Sequence, residues 1–166
     1  MSANTNAPGA TLSFLGCVNI AVNLVTKQYP GAKLYEVNTQ ASNPGHGSPL
    51  KGLRAVFQVK GGTAFAIMTQ WGEFGPIQFI AHPWLEDVVI PWPIKMDIVQ
   101  ADELLKKAGY TDPYGAVTVR HPLYPGSYEP YYIFSMMSGS YVFVGVNDGK
   151  VSQPQQAQAE AAHGPA

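Results

Sequence analysis

The sequence predicts an α+β fold of two similar units, each a helix packed on a bent antiparallel β-sheet, and three observations predict it. Apolar residues recur at helical spacing in two stretches, Leu12–Val25 and Ile98–Ala108. Each stretch is followed by runs that alternate, or pair around glycine turns, in the manner of strands. The matching hairpins, Leu53–Val59 with Thr63–Met68 and Tyr131–Met136 with Tyr141–Val146, lie about 78 residues apart. One supersecondary unit is thus stated twice.

Taken in order, residues 1–10 are small and polar and read as a flexible N-terminal arm. Residues 11–70 form the first unit. Its helix places Leu12, Leu15, Val18, Val22 and Val25 on one face, with Phe14, Cys17 and Ala21 adjoining. Thr11 or Ser13 can cap it. Gly16 leaves room for a strand to approach. Pro30 disfavours helical geometry in the residue before it, so the helix should stop by Tyr29. Lys33–Val37 alternates as a strand, and Ala41–Leu50 is a turn-rich loop around Asn43-Pro44-Gly45. The hairpin after it turns at Lys60-Gly61-Gly62, where glycine supplies a positive φ.

Residues 71–96 form a connector rich in tryptophan and proline, holding Trp71, Trp84, Trp92, Pro76, Pro83, Pro91 and Pro93. Proline lacks a ladder donor, so these pieces are edge strands or bridges; Ile77–Ala81 and Val88–Ile90 can each add a short strand. Residues 97–151 form the second unit. Asp97 and Gln100 fit a capping box, and Gly109 fits a helix stop. A strand over Tyr114–His121, a loop over Pro122–Pro130 and the second hairpin complete it, with Asn147-Asp148-Gly149 as the closing turn. Residues 152–166 are rich in Gln and Ala, have little to bury, and read as a flexible tail.

Composition narrows the function. With 166 residues and 46% hydrophobic content, the chain can bury an ordinary core. Its net charge is −1 and only 13% of residues are charged, with no basic stripe, so nucleic acid is not an expected partner. A weakly charged surface carrying 17 Gly, 14 Pro and nine Tyr suits a protein or peptide partner, or self-association. The single cysteine allows no intrachain disulfide. The first residues lack the regions of a signal peptide and no apolar run reaches the length of a membrane span. A cytoplasmic protein without membrane contact is therefore expected.

No residue pattern nominates a catalyst, a metal or a cofactor. Cys17 lies beside an apolar stripe with no charged neighbour, as a buried core residue does. His82, Glu86 and Asp87 are the densest acid–histidine group, but a proline-broken segment fixes no ligand spacing, so a structural role is expected. His46 and His121 have no evident partner. Asp102 and Glu103 sit early in a helix, where negative charge suits the dipole. The aromatic residues remain. Trp71, Trp84, Trp92, His82, Tyr124 and Tyr128 mark a candidate binding surface, because such side chains bury large area with few rotors.

The second unit resembles a PepSY-type module, through a helix ending in Gly109-Tyr110 and a last strand reading Tyr141-Val142-Phe143-Val144-Gly145-Val146-Asn147-Asp148-Gly149-Lys150-Val151. The first, with Tyr29-Pro30-Gly31-Ala32 after its helix, is similar. Both resemble the broader cystatin-like fold. That family inserts a Gln-x-Val-x-Gly hairpin, an N-terminal glycine and a Pro-Trp hairpin into cysteine-protease clefts. The matching positions are Gln58, Val59, Lys60 and Gly61, then Gly9, and Pro83-Trp84 or Pro91-Trp92; Lys60 stands where the family has an apolar residue. The resemblance implies a protease inhibitor as one alternative. The leading expectation is a non-catalytic binding or regulatory module that engages a protein or peptide through a sheet edge and aromatic loops. A self-assembling structural subunit is the other alternative.

Overall fold

The computed structural model of the chain describes residues 12–41, 50–123 and 127–153. The arm, residues 42–49 of the turn-rich loop, Tyr124 and the tail beyond residue 153 lie outside the described residues. The chain is α+β, with two helices and a large antiparallel sheet.

Helix α1 spans Phe14–Gln28, starting after Ser13 and stopping at Tyr29 as expected. Ser13 is the cap, its Oγ accepting from Gly16 N at 3.0 Å. At the other end nothing breaks the helix before Pro30, and Tyr29 N still reaches Val25 O at 2.7 Å. The expectation that Gly16 admits a strand is corrected: the nearest atoms to a Cβ there belong to Leu12 and Ser13. Strands β1 (Lys33–Ala41), β2 (Leu50–Val59) and β3 (Gly62–Gln70) follow, each longer than its alternating core in the sequence. The connector yields β4 (Glu73–Phe74), β5 (Gln78–Ile80) and β6 (Asp87–Val88). Helix α2 spans Ile98–Lys107, and β7 (Tyr114–Pro122), β8 (Tyr131–Met136), β9 (Tyr141–Gly145) and β10 (Val151–Ser152) complete the order. Ser152, placed in the tail by the sequence, thus pairs with Phe143.

The strands run β10-β9-β8-β7-β1-β2-β3-β4, with β5 also on β3 and β6 also on β7. The two groups of strands therefore join directly, β1 to β7, and not through the connector. In-register positions define the two faces. Val144, Tyr132, Val119, Val37, Ala55 and Ala66 lie side by side across six strands. They are buried in one core with Phe14, Cys17, Val18, Ala21 and Val25 of α1 and Ile98, Ala101 and Leu105 of α2. Both helices therefore cover the same face. The opposite, helix-free face carries the row Tyr131, Arg120, Glu36, Val56, Phe65 and Gln78. Next to it runs Phe143, Ile133, Thr118, Asn38, Arg54 and Ile67.

The helix N-termini meet at one residue. Asp97 closes a capping box on α2, its own N–H donating to Gln100 Oε1 at 2.8 Å. Its Oδ1 also accepts the Leu15 N–H of α1 at 3.0 Å. One carboxylate thereby satisfies orphan donors of two helices. Glycine matters most at the first hairpin. Gly61 has φ +86, and a Cβ on Gly62 would collide with the Ile80 carbonyl oxygen, so β5 can lie against β3 only beside glycine.

Candidate functional site

β1 and β7 pair from Gln40/Ala116 to Glu36/Arg120 and then part. A bulge in β1 between Leu34 and Glu36 marks the place. Into this gap comes the connector segment 82–90, a strap across the helix-free face. It begins where Thr63 Oγ1 donates to His82 O at 2.7 Å. Trp84 then stands edge-on to Phe65, ring centroids 5.9 Å apart, and the Arg54 guanidinium lies 5.5 Å from the Phe65 ring and 5.9 Å from the Trp84 ring. Asp87 and Val88 pair with Pro122 and His121 of β7. Ile90 N donates to Leu34 O at 2.8 Å, and the Ile90 side chain is buried in the core shared with the helices. The strap therefore passes from one face of the sheet to the other.

At the crossing three ionisable side chains are enclosed: Glu36, Asp87 and Arg120. Arg120 Nε donates to Asp87 Oδ1 at 2.6 Å, and its Nη2 donates to Glu86 O at 3.0 Å. Trp84 Nε1 donates to Asp87 Oδ2 at 2.8 Å. Glu36 Oε2 accepts from Asn38 Nδ2 at 2.7 Å and lies 3.8 Å from Arg54 Nη2. Asn38 Oδ1 in turn accepts from Thr118 Oγ1 at 3.1 Å. The other oxygen, Glu36 Oε1, is buried without a donor. Burial, and then the adjoining Glu36 carboxylate, push the Asp87 carboxyl up to about 8, against the downward pull of Arg120 and Trp84. Burial also raises Glu86. All three side chains are almost fully enclosed.

The aromatic candidates do not share one surface. Trp71 and Trp92 sit on the helix side, donating to Leu12 O at 2.8 Å and to Asn19 Oδ1 at 3.2 Å respectively. Trp84 belongs to the helix-free face. His82 is exposed, and its carbonyl accepts from Thr63 in the strap. Tyr128 is 87% exposed at the rim of a cleft of about 570 Å³ lined by Val88, Pro91, Pro93, His121 and Val146. Two polar groups of that cleft have partners: Glu129 Oε1 accepts Asn147 N at 2.7 Å, and His121 Nε2 lies 3.2 Å from Ser127 O. The hairpin candidates are brought beside a Pro-Trp pair. Gln58, Val59 and Gly61 line a cleft of about 310 Å³ with Pro83 and Trp84. Yet Gln58 Nε2 is bound to Tyr35 Oη at 2.8 Å, and Val59 is buried in the core, while Lys60 is exposed.

Elsewhere, Cys17 is buried, and burial raises its thiol. Asp102 accepts from Tyr114 Oη at 2.7 Å and from Lys106 Nζ at 2.9 Å, a tie to β7 beyond the dipole role expected of it. Among the described residues no three His, Cys, Asp or Glu gather as metal ligands, and no helix is long and apolar enough to cross a membrane. Sequence reasoning passed over Glu36, Arg54 and Arg120. Their signal was a charge set inside a strand of apolar and aromatic residues, which marks a covered polar site only when its cover is known. No family model, no curated protein and no solved structure matches this chain.

Proposed function

We propose that the chain is a non-catalytic binding module that engages a protein or peptide partner through the helix-free face of its sheet. The observation that carries this reading is the set of half-exposed aromatic and arginine side chains aligned there: Tyr131, Tyr141, Phe65, Trp84 and Arg54. Tyrosine, tryptophan and arginine are the residues that dominate binding energy at interfaces. Arg54 is half-exposed at its side chain and braced by two rings, so little rotamer freedom remains to be lost on binding. The face runs out at β5, whose three residues are all exposed, so a partner lying on it also meets an open edge. That edge is short and followed by Pro83, which makes strand addition the lesser contribution. The same short edges weigh against edge-to-edge self-assembly.

The finer reading of the architecture is a tandem of two cystatin/PepSY-like units. It is supported by the order α1-β1-β2-β3 and α2-β7-β8-β9, and by a strand sequence that reads outward alike from β1 and from β7. The inhibitor alternative draws on the meeting of Gln58–Gly62 with Pro83-Trp84. The seating of Val59 in the core and of Trp84 on Asp87 favours the binding module over it.

Selection of a displayed random-peptide library on the folded chain tests the proposal. Enriched peptides should lose about tenfold or more in affinity with Arg54→Ala or Tyr131→Ala. They should bind Val99→Ser, an exposed site on α2, unchanged. No enrichment, or peptides indifferent to both face substitutions, sinks the reading.

A further inference from the structure

The strap is held over the sheet by a group whose hydrogen bonds do not close with every carboxyl ionised. Asp87 is gripped from three elements: Arg120 of β7, Glu36 of β1 and the Trp84 indole of the strap itself. Arg54 of β2 stands behind Glu36, Glu86 lies beside Asp87 in sequence, and His121 of β7 pairs opposite Val88. Each Asp87 oxygen already accepts one bond, and Glu36 Oε1 is buried with no donor. A buried acceptor left without a donor costs about 1–3 kcal/mol, and more when it is charged. Two adjoining carboxylates in low dielectric also repel. A single proton on Asp87 eases both problems, because it ends the repulsion and gives the adjoining Glu36 carboxylate a donor. The one remaining negative charge, on Glu36, then faces Arg54 at 3.8 Å, while Arg120 stays bonded to Asp87.

We propose that the strap is a proton-operated clasp, seated on the sheet while Asp87 keeps its proton against Glu36 and lifted from it when that proton is lost. The stretch that lifts is Trp84–Asp87, since those residues meet the sheet through Phe65, Arg54, Glu36 and Arg120. Ile90 stays behind, anchored by its side chain in the core and its N–H on Leu34. No oxidant, metal or partner is needed; the proton goes to solvent. The inference concerns the free chain and stands whether or not the helix-free face binds a partner.

The test follows the full-length chain from pH 5.5 to pH 10 by side-chain carboxyl carbon NMR and by tryptophan emission. Asp87 should titrate near pH 8, with a change in emission at the same midpoint that Trp84→Phe removes. Glu36→Gln should lower that midpoint by about one unit or more, because it removes the adjoining negative charge and supplies an amide donor. Asp87→Asn should abolish the transition, and where that variant folds poorly the Glu36→Gln shift carries the test. His121→Gln should leave the midpoint in place. The proposal is overturned by Asp87 titrating below pH 5, by titration near pH 8 with no change in Trp84 emission, or by a transition that follows His121.

Discussion

Arg120 shows how much one side chain can be asked to hold. It is among the largest fully buried side chains, yet it sits on the sheet face that carries no helix. The strap makes that possible by covering it and by supplying both the Asp87 carboxyl group and the Glu86 carbonyl. Truncation leaves those groups enclosed without their cation. Arg120→Ala is expected to lower the unfolding free energy by about 1–3 kcal/mol in urea titration at pH 7, the cost of leaving buried acceptors without their donor. A loss under about 1 kcal/mol would show that water already reaches the site. Ile90, by contrast, needs no polar partner; it plugs the gap from the helix side.

Among the elements, the two helices are tied together by a short carboxylate. Asp97 caps α2 and at the same time accepts from the second residue of α1, so its removal frays two N-termini at once. Asp97→Ala should cost about 2 kcal/mol, the upper end for a lost cap, whereas Gln100→Ala, which breaks only the return bond, should cost about half as much. Urea midpoints at unchanged m-value measure both. The α2 cap was legible in the sequence, because Asp97 and Gln100 carry their spacing with them. So were the hairpins, whose alternation and glycines are local. The tie from Asp97 to Leu15 was not legible, since it joins residues far apart in the chain. The strap was not legible either. Asp87, Glu86 and His82 stand together in sequence, but Asp87 finds its partners on β1 and β7 while His82 stays at the surface. Period-two reasoning assigns Glu36 and Arg120 to one sheet face correctly, and then expects that face to be wet. A long-range crossing by a proline-flanked segment reverses the expectation.

For the whole molecule, the enclosed proton couples stability to pH. The folded-state pKa of Asp87 lies at about 8, above its ordinary 3.8, so between these values the folded chain keeps a proton that the unfolded chain has released. The unfolded state binds fewer protons there, and stability therefore falls as pH rises from about 4 to about 8 and levels off above. Urea denaturation at pH 5, 6, 7, 8 and 9 should show this decline, and Asp87→Asn should flatten it. A wild-type profile that rises through this window would contradict the buried carboxyl pair. The crossing strap also bears on how the chain folds. β1, β2 and β3 meet through short connections, as do β7, β8 and β9, but the β1–β7 seam joins distant parts of the chain and must form at a larger entropic cost. The strap needs that seam already laid down, because its contacts come from both sides of it. Its seating is expected to come late, so Arg120→Ala should raise the unfolding rate in urea and leave the refolding rate nearly unchanged.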